Sequence, residues 1–440
     1  MRLCREDVVR STCNSIRKAA IPLCGLLMLV ESGCGGGDGG ITAPPPKPLT
    51  VTAESLYSFG GSSTDAMGPS GVLIQGSDGN FYGTTPRGGL ATCSPGAGTS
   101  DPFYIGCGTV FRITPTGEET VLHLFDGTAA DGEIPQALIQ GNDGNFYGTT
   151  GSGGANNLGT VFKLTPEGVE TILYSFAGGA DGAGGQGLVQ GTDGNFYGTT
   201  GGGVNNAGAV FRLTPEGVET ILYSFTGSSY AGPDGAYPVG QLLQGSDGNF
   251  YGVTELGGLP SPVVMDTTTC GTVFKVTPEG IETILHKFSG PDGCSPLAGL
   301  IQGSDGDFYG TTSGGTTSAA SAGTVFRITP EGVETTLYTF SGSGGANPFA
   351  SLIQGSDGNF YGTTKGGGKN FGGTMFQLTP AGAVTVLYSF PNTSGTSEGT
   401  QLPGAGPDTN LVQGSDGSLY GATQQNGAYN RGYFYRLVLK

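Results

Sequence analysis

The stretch Gln190-Gly191-Thr192-Asp193-Gly194-Asn195-Phe196-Tyr197-Gly198-Thr199-Thr200 is one of seven copies of a single phrase, beginning at Gln75, Gln140, Gln190, Gln244, Gln302, Gln354 and Gln413. Around it the chain divides into four strand-like pieces. Residues 188–190 form a short apolar run halted by Asp193-Gly194, and residues 196–200 follow. Asp-Gly between two β-rich runs marks a tight hairpin, because the turn needs positive φ and glycine supplies it without strain. After a glycine-rich connection come residues 209–214, a Pro215-Glu216-Gly217 turn and residues 219–225. Proline fixes φ early in that turn and glycine accepts the left-handed conformation late. β-Branched and aromatic residues dominate all four pieces. No window keeps an i, i+3, i+4, i+7 apolar stripe free of Gly or Pro, which excludes helices.

Four short strands repeating at about 56 residues read as blades of a β-propeller. The third piece also occurs seven times, starting at Gly108, Gly159, Gly208, Gly271, Gly323, Gly373 and Gly432. The fourth follows it only six times, because the sequence stops at Lys440 on the last third-strand. The missing copy stands at the other end, as Ala53-Glu54-Ser55-Leu56-Tyr57-Ser58-Phe59. The sequence therefore predicts an all-β, seven-bladed propeller over residues 51–440, closed by an N-terminal strand that completes the last blade. Closure removes exposed sheet edges.

Strand polarity puts both tight turns of every repeat on one face of the ring. The long segments 86–107, 226–240, 253–270 and 391–410 fall on the other, which is where variable loops place function. Arg112, Lys163, Arg212, Lys275 and Arg327 each precede a Glu by seven residues (Glu119, Glu170, Glu219, Glu282, Glu334), which predicts base–acid pairs across the hairpin. In the sixth repeat Gln377 and Val384 replace both partners, and in the seventh Ala53 stands where the acid of Arg436 is expected.

Only 12% of residues are charged and the net charge is −17. Removing residues 1–33 takes away five bases and three acids, leaving about −19. Such a surface repels phosphate backbones and excludes nucleic acid as a partner. Residues 1–33 read as a signal peptide: Arg2, Arg5, Arg10, Arg17 and Lys18 precede an apolar run from Ala19 to Val30, too short for a bilayer span. Ser32-Gly33-Cys34 resembles a bacterial lipobox, although Glu31 departs from the apolar residue usual there. That resemblance implies acylation of Cys34, a Gly/Pro-rich tether over residues 34–50, and membrane association only through the lipid. Four later cysteines, Cys93, Cys107, Cys270 and Cys294, lie on the long-loop face and suit an oxidising compartment. Cys93–Cys107 and Cys270–Cys294 are the expected disulfides, out of three possible connectivities.

Chemistry-bearing motifs are sparse. His123 and His286, the two histidines, occupy a fourth-strand slot filled by Tyr174, Tyr223, Tyr338 and Tyr388 elsewhere, so they read as aromatic-sized strand residues. Asp of each Asp-Gly turn is a turn residue first. Asp131, Asp181, Asp234 and Asp292, which recur after the fourth strand on the blade-to-blade face, are better metal candidates, but turn formation is the leading reading there too. The Gln at the head of each phrase is expected to bond between blades. No catalytic residue, metal or cofactor is assigned.

The seven QGSDGNFYGTT-like and seven GTVFRITPEG-like stretches resemble the GloVer tandem repeat of "choice-of-anchor" bacterial surface proteins. The resemblance implies an extracellular location and no particular reaction. More loosely, DGNFYGTT is similar to the DGNLW phrase of lyase and sensor propellers. The streptogramin lyase type works through His and a metal, and no residue is carried over from it here. Two functions stay open. One is a monomeric, surface-tethered, non-enzymatic module binding an extracellular polymer, glycan or protein through its long loops, with Tyr104, Tyr230, Tyr237 and Tyr429 as contact groups. The alternative is a lyase or hydrolase acting on an extracellular polymer through loop-face carboxylates.

Overall fold

A computed structural model describes residues 49–440 except 63, 71, 90–105, 228–231, 259–268, 315–321, 392–405 and 408. The expected signal peptide, Cys34 and most of the tether lie outside the described residues, as do Cys93, Tyr104 and Tyr230. Residues Leu49–Lys440 form one unit of seven four-stranded antiparallel sheets. Blade 3 shows the pattern: Gly185–Gln190 innermost, then Phe196–Thr200, Ala209–Leu213 and Glu219–Ser224 outermost. Blade 7 runs Val412–Gln413, Leu419–Thr423, Tyr433–Leu439 and takes its outer strand, Val51–Ser58, from the other end of the chain. The closing register pairs Val51 with Leu439 and Ser58 with Tyr433, and Thr50 and Lys440 exchange backbone hydrogen bonds at 3.0 and 2.9 Å. The predicted closure is thus present, with the closing strand running over Val51–Ser58 rather than residues 53–59.

Aromatic pairs hold blade to blade. The second-strand Tyr of one blade lies on the second-strand Phe of the next: Tyr82 on Phe146, Tyr147 on Phe196, Tyr197 on Phe250, Tyr251 on Phe308 and Tyr309 on Phe360, with ring centroids 3.8–4.3 Å apart. Tyr420 closes the circle on Phe81 at 4.2 Å. Only Tyr361 meets an aliphatic neighbour, Leu419, in the same buried cluster. Each such ring is almost fully removed from water, and stacking adds about 0.5–1.5 kcal/mol per pair beyond burial. The Pro-Glu-Gly turns also lean on the preceding blade. A Cβ on Gly168 (φ +90°) would lie 2.3 Å from the Leu122 carbonyl oxygen, so only glycine fits that approach.

Candidate functional site

On the tight-turn face, the repeated polar groups are absorbed by architecture. Asp193 accepts from the Asn195 backbone N–H at 3.1 Å, from its side-chain amide at 2.7 Å and from the Tyr197 hydroxyl at 2.8 Å. Although desolvation opposes it, these donors hold the carboxyl below its ordinary range. Gln244 accepts from the Thr192 N–H of the preceding blade at 2.9 Å and donates to the Gly248 carbonyl of its own turn at 3.1 Å. The same two-way clamp recurs at Gln140, Gln190, Gln302 and Gln354, as the sequence predicts.

The base–acid ladder is not what forms. Arg112 stands opposite Thr120, while Glu119 stands opposite Ile113, so the two charged side chains leave the sheet on opposite faces. The bases turn to the Asp-Gly hairpin instead: Lys163 Nζ reaches Asp143 Oδ2 at 3.1 Å and stands 5.5 Å from the Tyr147 ring centroid. Arg327 lies 3.6 Å from Asp307. Arg436 does find a cross-strand acid, but it is Glu54, its register partner, rather than a residue at position 53.

The outer-strand glutamates cross to the neighbouring blade. A bulge between Val110 and Phe111 in the pairing of the third and outer strands, with Leu122 the extra residue, puts Glu119 and His123 on opposite faces, Glu119 toward blade 7 and His123 toward blade 2. Five junctions carry the same trio: Tyr57, Asp65 and Glu119; His123, Asp131 and Glu170; Tyr174, Asp181 and Glu219; Tyr223, Asp234 and Glu282; His286, Asp292 and Glu334. The first member donates to the Asp where it is Tyr, as from Tyr223 to Asp234 at 2.7 Å. Where it is His, Nε2 lies 3.2 Å from Asp131 and 2.8 Å from Asp292. Burial, with the facing Asp second, pushes Glu119 up to about 8 and Glu219 and Glu282 up to about 7. Val384 replaces the Glu of blade 6 at the junction whose preceding loop, 341–345, has no Asp. The acid is lost together with its true partner. The two histidines do fill an aromatic slot, but one that sits in a carboxylate pair the sequence reading missed.

The long-loop face is built differently at each blade. Cys270 and Cys294 form the expected disulfide, tying the end of the 253–270 loop to the segment after the outer strand of blade 4. Cys107 is buried and disulfide-bonded. A cavity of about 350 Å³ on the ring axis is lined by the inner strands, with Val72, Val189, Gln241, Leu297, Ser351 and Asn410 among its walls. Asn410 takes the Leu73 N–H at 2.8 Å and Gln241 donates to the Leu188 carbonyl at 2.6 Å, each bridging two blades. Phe349 stands at this cavity, 37% exposed, with the Lys365 ammonium 5.1 Å from its ring centroid. Farther out are Tyr429, 53% exposed, and Phe371, 76% exposed. Tyr429 overhangs Gly61 beside a cleft of about 620 Å³ lined by Tyr57, Asp65, Glu119 and His123. Tyr237, expected at the surface, instead packs against the core between blades 3 and 4.

Phe371 also holds φ at +59°, a conformation rare for bulky side chains. Its backbone N–H closes a turn onto Gly368 as Asn157 does onto Gly154, Asn206 onto Gly203 and Asn430 onto Gly427. Three blades thus use asparagine, which tolerates this conformation, and one uses phenylalanine.

Together these features define a closed, seven-bladed propeller of the tandem-repeat kind, with an architectural face and a variable one. The sequence model of the Gloeobacter/Verrucomicrobia repeat matches residues 97–261 and 264–440, and the chain belongs to that family. No curated protein matches the chain. Among solved structures, a streptogramin B lyase aligns with TM-score 0.56 at 15% identity, over 89% of this chain and 98% of its own. A catalytically inactive virginiamycin B lyase from Staphylococcus aureus, with quinupristin, gives 0.56 at 16% identity, over 89% and 100%. A fungal alcohol oxidase in complex with copper gives 0.51 at 13%, over 90% and 76%. At such identities the likeness is one of fold alone.

Proposed function

We propose that the ring is a non-enzymatic binding module displayed outside the cell, engaging an extracellular polymer, glycan or protein through its long-loop face. In this reading it acts as a monomer, and acylated Cys34 tethers it to the bacterial envelope. The observation that carries the proposal is Phe371: it keeps a left-handed backbone, at a cost of about 1–3 kcal/mol, while leaving its ring in solvent. The turn itself recurs in three other blades with asparagine, so it does not call for phenylalanine, and an exposed aromatic ring at the head of the third strand of blade 6 is a contact group. Phe349 and Tyr429 offer further apolar surface on the same face.

The alternative, a lyase or hydrolase working through loop-face carboxylates, draws on the cleft that holds Asp65 and Glu119. Matching pairs at four other junctions point to a role in the repeat itself, which favours the binding reading. The test incubates the full chain with peptidoglycan sacculi and with an array of bacterial and host glycans, with and without calcium. Retention without released product, weakened at least fivefold in Phe371→Ser, is expected. Release of shortened polymer would replace this reading with the enzymatic one.

A further inference from the structure

We propose that two blade junctions are metal sites, each holding one divalent transition ion of the zinc class: His123–Asp131–Glu170 between blades 1 and 2, and His286–Asp292–Glu334 between blades 4 and 5. In each, one nitrogen and two carboxylate oxygens from three separate segments lie within 4.8 Å of one another. An imidazole with two carboxylates suits zinc and its neighbours, whereas calcium prefers an all-oxygen set.

The hydrogen bonding prepares the donors. Asp131 Oδ2 accepts the Asp126 N–H at 2.8 Å, while Oδ1 faces His123 and takes the Gly132 N–H at 2.7 Å. Asp292 repeats the arrangement: Oδ1 takes the Ser289 N–H at 2.9 Å and its hydroxyl at 3.0 Å, leaving Oδ2 toward His286. Backbone donors orient each aspartate much as second-shell groups orient metal ligands. Glu170 Oε1 is buried with no hydrogen-bond partner among the described residues, as are the matching oxygens of Glu119, Glu219 and Glu282 at the tyrosine junctions. Glu334 Oε1 instead accepts from the Thr336 hydroxyl at 3.1 Å, so it is the imidazole that sets the two histidine junctions apart. A buried carboxylate oxygen beside a second carboxylate is costly unless a cation or proton lies between them. Such an ion would also bridge neighbouring blades.

Three junctions with the same Asp–Glu pair serve as internal controls, because Tyr57, Tyr174 and Tyr223 replace the imidazole with a neutral phenol. Tyrosine is therefore the natural substitution at the histidine positions, one the fold already accommodates.

The experiment uses the untagged full chain, stripped with chelator and titrated with zinc chloride by calorimetry, with bound metal counted by mass spectrometry. Two equivalents per chain are expected, falling to one in His123→Tyr or in His286→Tyr and to none in the double variant. Glu170→Gln should weaken one site at least tenfold. Cobalt substitution should give visible d–d bands that disappear with the histidines, and zinc should raise the melting temperature of wild type but not of the double variant. Failure to bind zinc at 100 µM, or a stoichiometry indifferent to the tyrosine substitutions, overturns the proposal. So does calcium binding that matches zinc and survives in the double variant, since that would be acidic-surface binding.

Discussion

Glu119, at the start of the outer strand of blade 1, faces Asp65 in the loop leaving the outer strand of blade 7. This acid–acid contact spans the junction that closes the ring, and its repetition at later junctions makes the propeller's stability depend on pH. Glu119, Glu219 and Glu282 keep their protons to about 8, 7 and 7, whereas in the unfolded chain they release them near 4.5. The folded state binds more protons between those limits, so the contribution is full below about 4.5 and is lost as pH rises through 7 to 8. Turn aspartates such as Asp193 and Asp247 are held low, and they lose their contribution only on the acid side of 3.8. Calorimetry at constant ionic strength should show the melting temperature falling from pH 5 to pH 8.5. Glu119→Gln/Glu219→Gln/Glu282→Gln should flatten that slope, and an unchanged slope would mean that these glutamates are already ionised.

Removing residues 51–60 deletes the outer strand of blade 7 and leaves Tyr433–Leu439 with a free edge. Size-exclusion chromatography should then show soluble aggregates and a lower melting temperature. A monomeric truncation that melts like the parent contradicts ring closure as a source of stability.

The Tyr251–Phe308 stack, at 4.0 Å between centroids, lies between blades 4 and 5. Phe308→Ala should destabilise by about 3–5 kcal/mol, read from denaturant midpoints. A loss below about 1 kcal/mol would show that the junction collapses to fill the space.

The Cys270–Cys294 bridge spans 24 residues, and opening it should cost about 3 kcal/mol. Non-reducing peptide mapping should recover the 270–294 linkage and a separate one joining Cys93 to Cys107. Crossed pairs or four free thiols would refute the pairing.

The proposed anchor rests on Cys34 and is tested in bacterial cells. Wild type should partition into detergent and Cys34→Ser into water, because lasting attachment needs two or more acyl chains. Wild type already in the aqueous phase would leave the protein secreted but unanchored.

Seven blades, their turns and the closing strand were legible because each is encoded within one repeat or by counting repeats. The Gln clamps were legible for the same reason. The partners of Glu119, Glu170, Glu219, Glu282 and Glu334 were not, because spacing along a hairpin fixes proximity but not the face on which a side chain leaves. The one-residue offset that sets Arg112 against Thr120 decides that point. A usable signal did exist: Glu recurs where the preceding loop carries Asp65, Asp131, Asp181, Asp234 or Asp292, and Val384 follows a loop without one. Phe371 escaped notice because its meaning lies in a backbone angle that its three asparagine counterparts make visible only in the structure.

Hydrogen–deuterium exchange of the full chain bound to whichever polymer it retains tests the binding-face claim most directly. Protection is predicted at residues 346–351, 365–373 and 424–432 on the long-loop side, with the Asp-Gly turns at 191–195 and 245–249 unchanged. Protection confined to those turns, with the Phe349, Phe371 and Tyr429 segments exchanging as in the free protein, would contradict the account.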